Sequence, residues 1–229
     1  MEHIENAGED ALRLKKAVRK KVLALRDGIP AEDKAEYDAR IRKVIMGMKE
    51  YREAEVILAY LSYRSEVDTL MLIKQALSDG KYVFAPKVSG SEMEFWRITA
   101  IEDLQEGYRG ILEPVQSITF SDWINERLSI VNTDAVIAQT EDCKAMMWMP
   151  GAVFDKEHHR IGYGGGFYDR YLDRLSGNMD GTVWTRNPAG QVSLLSAALA
   201  YGCQILEQIP HEGHDMKPDL LITEQGICR

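Results

Sequence analysis

The segment Arg160-Ile161-Gly162-Tyr163-Gly164-Gly165-Gly166-Phe167-Tyr168-Asp169-Arg170 sets four glycines between an arginine and an aspartate. Glycine reaches positive φ and lets the backbone approach a ligand closely. Successive N–H groups can then converge on phosphate oxygens, and a helix starting just beyond adds its partial positive charge. Arg160, entering the loop, could clamp a phosphate, and Asp169, leaving it, could hold Mg²⁺ through a carboxylate oxygen. The segment is not a Walker loop, because no Gly-Lys-Ser/Thr follows. Nor is it the dinucleotide fingerprint, because Phe167 stands at the third glycine. Without other context the same glycines make a tight turn with close strand-to-helix packing.

The remaining candidates are cations and carboxylates. Lys15 and Arg19 lie one helical turn apart, so both can reach one polyphosphate; alone they would be a solvated helix face. Glu66, between a strand and its helix, could bind a polar heterocycle at the strand's carboxyl end, or simply complement a helix start. His211, His214 and Asp215 fall within Pro210-His211-Glu212-Gly213-His214-Asp215. This is not His-Glu-x-x-His, and its glycine and nearby prolines oppose a ligand helix. Zinc, and with it a metal hydrolase using His211 and His214, is therefore disfavoured, and Asp215 reads better as a loop carboxylate serving Mg²⁺. Trp96, Trp148 and Met146 to Met149 sit in strand-like runs and read as core.

These residues need elements to position them. Leu14, Val18, Val22 and Leu25 predict a helix over 12–26 with one apolar face, and this stretch holds seven Lys/Arg from Arg13 to Arg26 and no acid. Pro30 ends it, and a second, antiparallel helix is expected over 31–48. The apolar run 55–61 predicts a buried strand of a parallel sheet. A helix capped at Asp68 or Thr69 and ending at Gly80 leads to a strand over 81–86, which completes a βαβ unit. A further strand is expected over 93–98, then a short helix capped by Thr99. Residues 134–138 and 145–149 compete for the next core strand, and 145–149 is preferred because it runs into Pro150-Gly151 and the glycine loop. A helix over 167–175, strands over 194–201 and 219–223, and a short helix near Gln204 follow. Surface insertions are expected near 115–145 and 176–193. The alternation predicts a single α/β domain over 1–229: a three-layer sandwich with a mostly parallel, Rossmann-like central sheet and helices on both faces.

Composition narrows the function classes. With 229 residues and 45% apolar content the chain can build one sizeable core. The 28 basic and 36 acidic residues give a net charge of −8, which opposes nucleic acid and anionic membranes as partners, so an anionic ligand needs a local basic patch. Three widely spaced cysteines suggest neither a disulfide framework nor a cysteine zinc site and fit a reducing cytoplasm. The acidic start lacks an apolar signal core, and no apolar run approaches the ~20 residues of a membrane span. A soluble monomer is expected, with a dimer as the alternative.

Taken in order, these pieces resemble the 5-formyltetrahydrofolate cyclo-ligase family, also called 5,10-methenyltetrahydrofolate synthetases, over nearly the whole chain. Lys15-Lys16-Ala17-Val18-Arg19 is similar to its basic N-terminal helix, and Glu66-Val67-Asp68-Thr69 to its substrate loop. Pro150-Gly151-Ala152-Val153-Phe154-Asp155 with Arg160 to Arg170 resembles its principal signature. Ile209-Pro210 through His214-Asp215, then Thr223-Glu224, resembles its C-terminal element. The resemblance implies ATP- and Mg²⁺-dependent conversion of 5-formyltetrahydrofolate to 5,10-methenyltetrahydrofolate with release of ADP and phosphate. It implies ATP contacts from Lys15, Lys16, Arg19, Arg160, Gly162, Gly164, Gly165, Gly166 and Tyr168, with Lys15, Arg19 and Arg160 catalytic. Folate contacts would come from Leu61, Glu66, Tyr163, Gly164 to Gly166 and Phe167, and metal contacts from Asp169 and Asp215. His158 stands where members often have glycine, and Phe167 where tyrosine is frequent. A non-catalytic folate- or nucleotide-binding paralogue of the same fold is the alternative.

Overall fold

Strand β1 (Val56–Ala59) is buried along its whole length, and its alternate side chains serve two cores. Ile57 and Ala59 enter one cluster, Val56 and Leu58 the other. Strand β6 (Cys143–Met149) lies parallel beside it, with Val56 opposite Ala145 and Ala59 opposite Trp148, and divides its side chains in the same way. The first core is closed by α2 (Ala31–Gly47), α3 (Lys49–Glu53) and α4 (Leu70–Ser78) through Ile41, Ile45, Tyr51, Leu72 and Ile73. The second is closed by α5 (Phe120–Thr133) and α6 (Phe167–Ser176) through Phe120, Trp123, Tyr171 and Leu172. Each such side chain, fully buried, is worth ~1.5–3 kcal/mol. A one-residue slip would exchange the two cores, so burial on both faces fixes the register.

The computed structural model describes residues 2–107, 110–133, 143–176, 184–187, 190–213 and 215–228, with side chains over 12–107, 110–127, 143–175, 192–213 and 215–228. In the large sheet β2 (Tyr82–Ser89), β10 (Gly190–Leu199) and β12 (Leu220–Thr223) run parallel with β1 and β6. The antiparallel strands β3 (Glu92–Ile98), β9 (Trp184–Asn187) and β13 (Gly226–Cys228) pair with β2, β10 and β12 respectively. Numbered along the chain, the five parallel strands lie in the order second, first, third, fourth, fifth, so the winding reverses between β1 and β6. At such a reversal the loops leaving the two strands part and open a crevice at the strands' carboxyl ends. The expected layered α/β sandwich with a mostly parallel sheet is the one observed.

Several expected elements differ in detail. The strand expected from Leu194 begins at Gly190, inside the stretch expected as an insertion, and Val192 is buried opposite Cys143. In the other expected insertion α5 buries Phe120 and Trp123. The competing strand at 134–138 lies outside the described residues. The glycine loop does not follow β6 directly. A hairpin of β7 (Val153–Asp155) and β8 (Arg160–Ile161) comes first and joins β11 (Ile205–Leu206) in a small second sheet. Strands β4 (Leu104–Glu106) and β5 (Leu112–Pro114) form a separate hairpin.

Helix α1 (Glu2–Asp27) docks on the small sheet, where Val18, Val22 and Leu23 meet Ala152, Val153, Ile161, Leu206 and Ile209. The expected apolar face is thus only partly used, since Leu14 and Leu25 are 54% and 53% exposed. From residue 14 to 25 a helix runs ~16 Å, whereas strands of two or three residues offer at most ~10 Å to cover it. At the end of this helix Arg26 turns inward instead.

Candidate active site

The loop after β1 and the loop after β8 meet at the reversal point. In the first, the chain turns so that Glu66 Oε2 accepts the Tyr63 N–H at 2.8 Å and Tyr60 Oη donates to the Val67 carbonyl at 3.1 Å. Glu66 is 8% exposed, and Leu61 packs in the first core beside Tyr60 and Val67. Burial pushes the Glu66 carboxyl above its ordinary range, an effect partly offset by hydrogen bonds from Tyr163 and the Tyr63 N–H and by the Arg26 charge.

In the second loop Gly164 and Gly166 have φ of +96° and +62°, a backbone region that disfavours side chains and suits glycine. Among the described residues no hydrogen bond from within the chain takes the N–H groups of Gly164, Gly165 or Gly166. The loop runs into the start of α6, where the helix N-terminus adds to these open donors. Arg19 Nη1 donates to the Gly162 carbonyl at 3.1 Å, which brings the N-terminal helix against this cradle.

Lys15, one turn earlier, donates to Asp215 Oδ2 at 2.7 Å and to Glu212 Oε2 at 2.8 Å. Burial acts to lower the Lys15 pKa, but its bonds to the two carboxylates hold it above the usual lysine value. Arg160 Nη2 donates to Asp169 Oδ1 at 2.9 Å, and the same oxygen accepts the Met216 N–H at 3.3 Å. A single constellation therefore joins Lys15, Arg19, Arg160, Asp169 and Asp215, residues that the sequence scatters over 200 positions. Lys16 is exposed and takes no part in these bonds. His214 lies outside the described residues.

Arg160 differs from a free phosphate clamp. Its side chain is 5% exposed, paired with Asp169, and its Nε is buried without a partner. Tyr168 likewise buries an unpartnered hydroxyl, close enough to Glu66 and Arg160 to feel their charges. Two orphaned polar groups beside an open cradle are what a ligand's polar atoms would satisfy. Phe167 is half-buried under the Arg170 guanidinium, 5.2 Å from the ring centre.

The pattern of the sequence did not reveal Arg26, which is 5% exposed and donates to the Tyr163 hydroxyl at 2.7 Å. Nor did it join His211, weighed there with His214, to Asp155 and His159, whose ligand atoms lie within 4.8 Å of its own. The two imidazoles stack with centroids 3.5 Å apart and planes 11° apart, so their in-plane lone pairs run side by side rather than converging on an ion. Asp155 already accepts N–H bonds from Glu157, His159 and Ile209. The cluster fastens the segment carrying Asp215 to the β7–β8 turn. In that turn His158 adopts φ +67°, the conformation that suits glycine.

Comparisons with known proteins show the family of this chain. The 5-formyltetrahydrofolate cyclo-ligase family profile matches residues 11–224. The 5-formyltetrahydrofolate cyclo-ligase of Mus musculus is 28% identical over 203 residues, 86% of this chain and 87% of the mouse protein. That of Haemophilus influenzae is 25% identical over 87% of this chain and 91% of its own. The solved structure of the Aquifex aeolicus 5,10-methenyltetrahydrofolate synthetase superposes with a TM-score of 0.70 at 27% identity, covering 94% of this chain and 92% of that one. From its signature loop to its strand order, the chain belongs to the 5-formyltetrahydrofolate cyclo-ligase family.

Proposed function

We propose that this chain closes 5-formyltetrahydrofolate to 5,10-methenyltetrahydrofolate at the expense of ATP, with the triphosphate over the glycine cradle and the pterin at Glu66. The observation that carries the reading is the meeting, where the loops after β1 and β8 come together, of unpaired glycine N–H groups, the Arg19 and Lys15 cations and a buried carboxylate. An acidic protein of net charge −8 would otherwise repel a polyanion. Alone, the formyl oxygen is a poor leaving group. Its attack on the γ-phosphorus expels ADP and leaves the carbon in an iminium-like phosphate ester. The bridge nitrogen then adds to that carbon, its proton passes to phosphate or solvent, and the C–O bond breaks to release inorganic phosphate.

Phosphoryl transfer asks mainly for positioning and charge neutralisation. Arg19, Lys15 and the open amides supply both, and no covalent protein nucleophile is required. Asp169 and Asp215 offer only hard oxygen donors, tied together through the Met216 N–H and the Glu212–Asp215 turn. They fit Mg²⁺, which prefers one or two carboxylates plus phosphate oxygens and retained waters. Bound there with ATP, the ion would neutralise phosphate charge, while Lys15 and Arg160 balance those carboxylates in its absence.

The test is turnover by the purified chain. With ATP, Mg²⁺ and 5-formyltetrahydrofolate the near-UV absorbance of the methenyl product should rise, with one ADP formed per product. Tight formylfolate binding with no absorbance change and no ADP would instead identify a non-catalytic binding protein.

A further inference from the structure

Helix α1 exposes most of its cations, yet its last guanidinium faces inward. Arg26 Nη1 donates to Tyr163 Oη at 2.7 Å, and Nε donates to Ser65 Oγ at 3.0 Å. The Tyr163 phenol and the Arg26 charge both bear on the Glu66 carboxyl, and Ser65, the second partner of Arg26, is the residue next to Glu66 in the chain. One guanidinium therefore ties the N-terminal helix to Tyr163 of the glycine loop and to Ser65 of the loop after β1, beside the Glu66 carboxyl. Taking a guanidinium out of water is costly, and the docking of α1 does not call for it, because Val18, Val22 and Leu23 make that contact.

We propose that Arg26 is a positioning residue for the folate: acting through the Tyr163 hydroxyl, it fixes the Glu66 carboxylate that receives the N–H donors of the pterin ring. The inference rests on the cyclo-ligase reading. The other groups around Glu66 cannot replace Arg26. Tyr60 at the end of β1, Tyr168 on α6 and Tyr201 after β10 are phenols whose pKa burial raises, Tyr201 being hydrogen-bonded to Asp38 of α2. Asp27, next along α1, adds negative charge and is tied to Ser65. Arg26 is thus the cation that opposes the burial penalty on Glu66. The sign of the pH effect follows. Burial already raises the Glu66 pKa, and loss of Arg26 raises it further, so the carboxylate would protonate, and release the pterin, at a higher pH than in wild type.

The test is steady-state kinetics of the full chain across pH 5.5–8.5 as wild type, Arg26→Gln, Arg26→Lys and Tyr163→Phe. Arg26→Gln should raise KM for 5-formyltetrahydrofolate roughly tenfold at neutral pH, with kcat and the ATP KM within about twofold of wild type. Its acid limb of kcat/KM should move to higher pH, and Arg26→Lys, which keeps the charge but loses the fork, should return that limb towards wild type. An unshifted limb with an unchanged folate KM would overturn the proposal, as would equal losses in kcat and both KM values alongside a lowered Tm, the mark of a mere staple. Should Arg26→Gln not fold, Tyr163→Phe breaks the Arg26–Tyr163 bond and retains the guanidinium, and an unchanged folate KM there would also overturn it. Wild-type protein that does not turn over would sink the cyclo-ligase reading itself, whereas active wild type with an unshifted Arg26→Gln sinks this inference alone.

Discussion

Arg160 is the residue whose surroundings most change what its type suggests. A loop arginine beside glycines reads as a phosphate clamp, yet its buried fork holds Asp169 at 2.9 Å and reaches the Pro150 carbonyl at 3.4 Å. Removing one partner of a buried pair leaves an uncompensated charge, which costs ~3–5 kcal/mol; Asp169 is 31% exposed, so the lower end applies. Arg160→Ala should therefore lose about 3 kcal/mol of stability in urea unfolding as well as turnover, and an unchanged unfolding midpoint would refute the structural half of that role. Asp169, Asp215, Lys15, Arg19 and Glu66 were singled out in the sequence only in company with the glycine loop and the family resemblance, because each alone also reads as a solvated or helix-start charge. Arg26 was not legible, since a helical cation looks the same in sequence whether it faces water or a phenol.

Short strands are where periodicity fails at the scale of the element. Strands β1, β2 and β6 announce themselves by apolar runs, but β7, β8 and β11 have two or three residues and no detectable period. The small sheet was therefore unreadable, and with it the surface on which α1 docks. That docking is what delivers Lys15, Arg19 and Arg26 to the crevice. Val22, 1% exposed, is its centre. Val22→Ala should cost ~2 kcal/mol and raise the KM for both ATP and folate, with faster hydrogen exchange along residues 15–26. Kinetics and exchange identical to wild type would show that α1 is held some other way.

Across the whole molecule the strand order decides where the site falls. Sequence alternation gave the layers but not the neighbours, because pairing between β1 and β6 spans a long stretch of chain with no local signal. With β1 and β6 adjacent, and the β7–β8 hairpin carrying the chain back, the loop with Glu66 and the loop with Gly162 to Gly166 come together where the proposed function puts both substrates. The proposed function makes a definite claim about bonds: the formyl oxygen itself would take the γ-phosphoryl group. Following ¹⁸O placed in the formyl group of 5-formyltetrahydrofolate tests it directly. The label should appear in the released inorganic phosphate, one atom per turnover, whereas unlabelled phosphate with the ¹⁸O recovered in water would contradict the account.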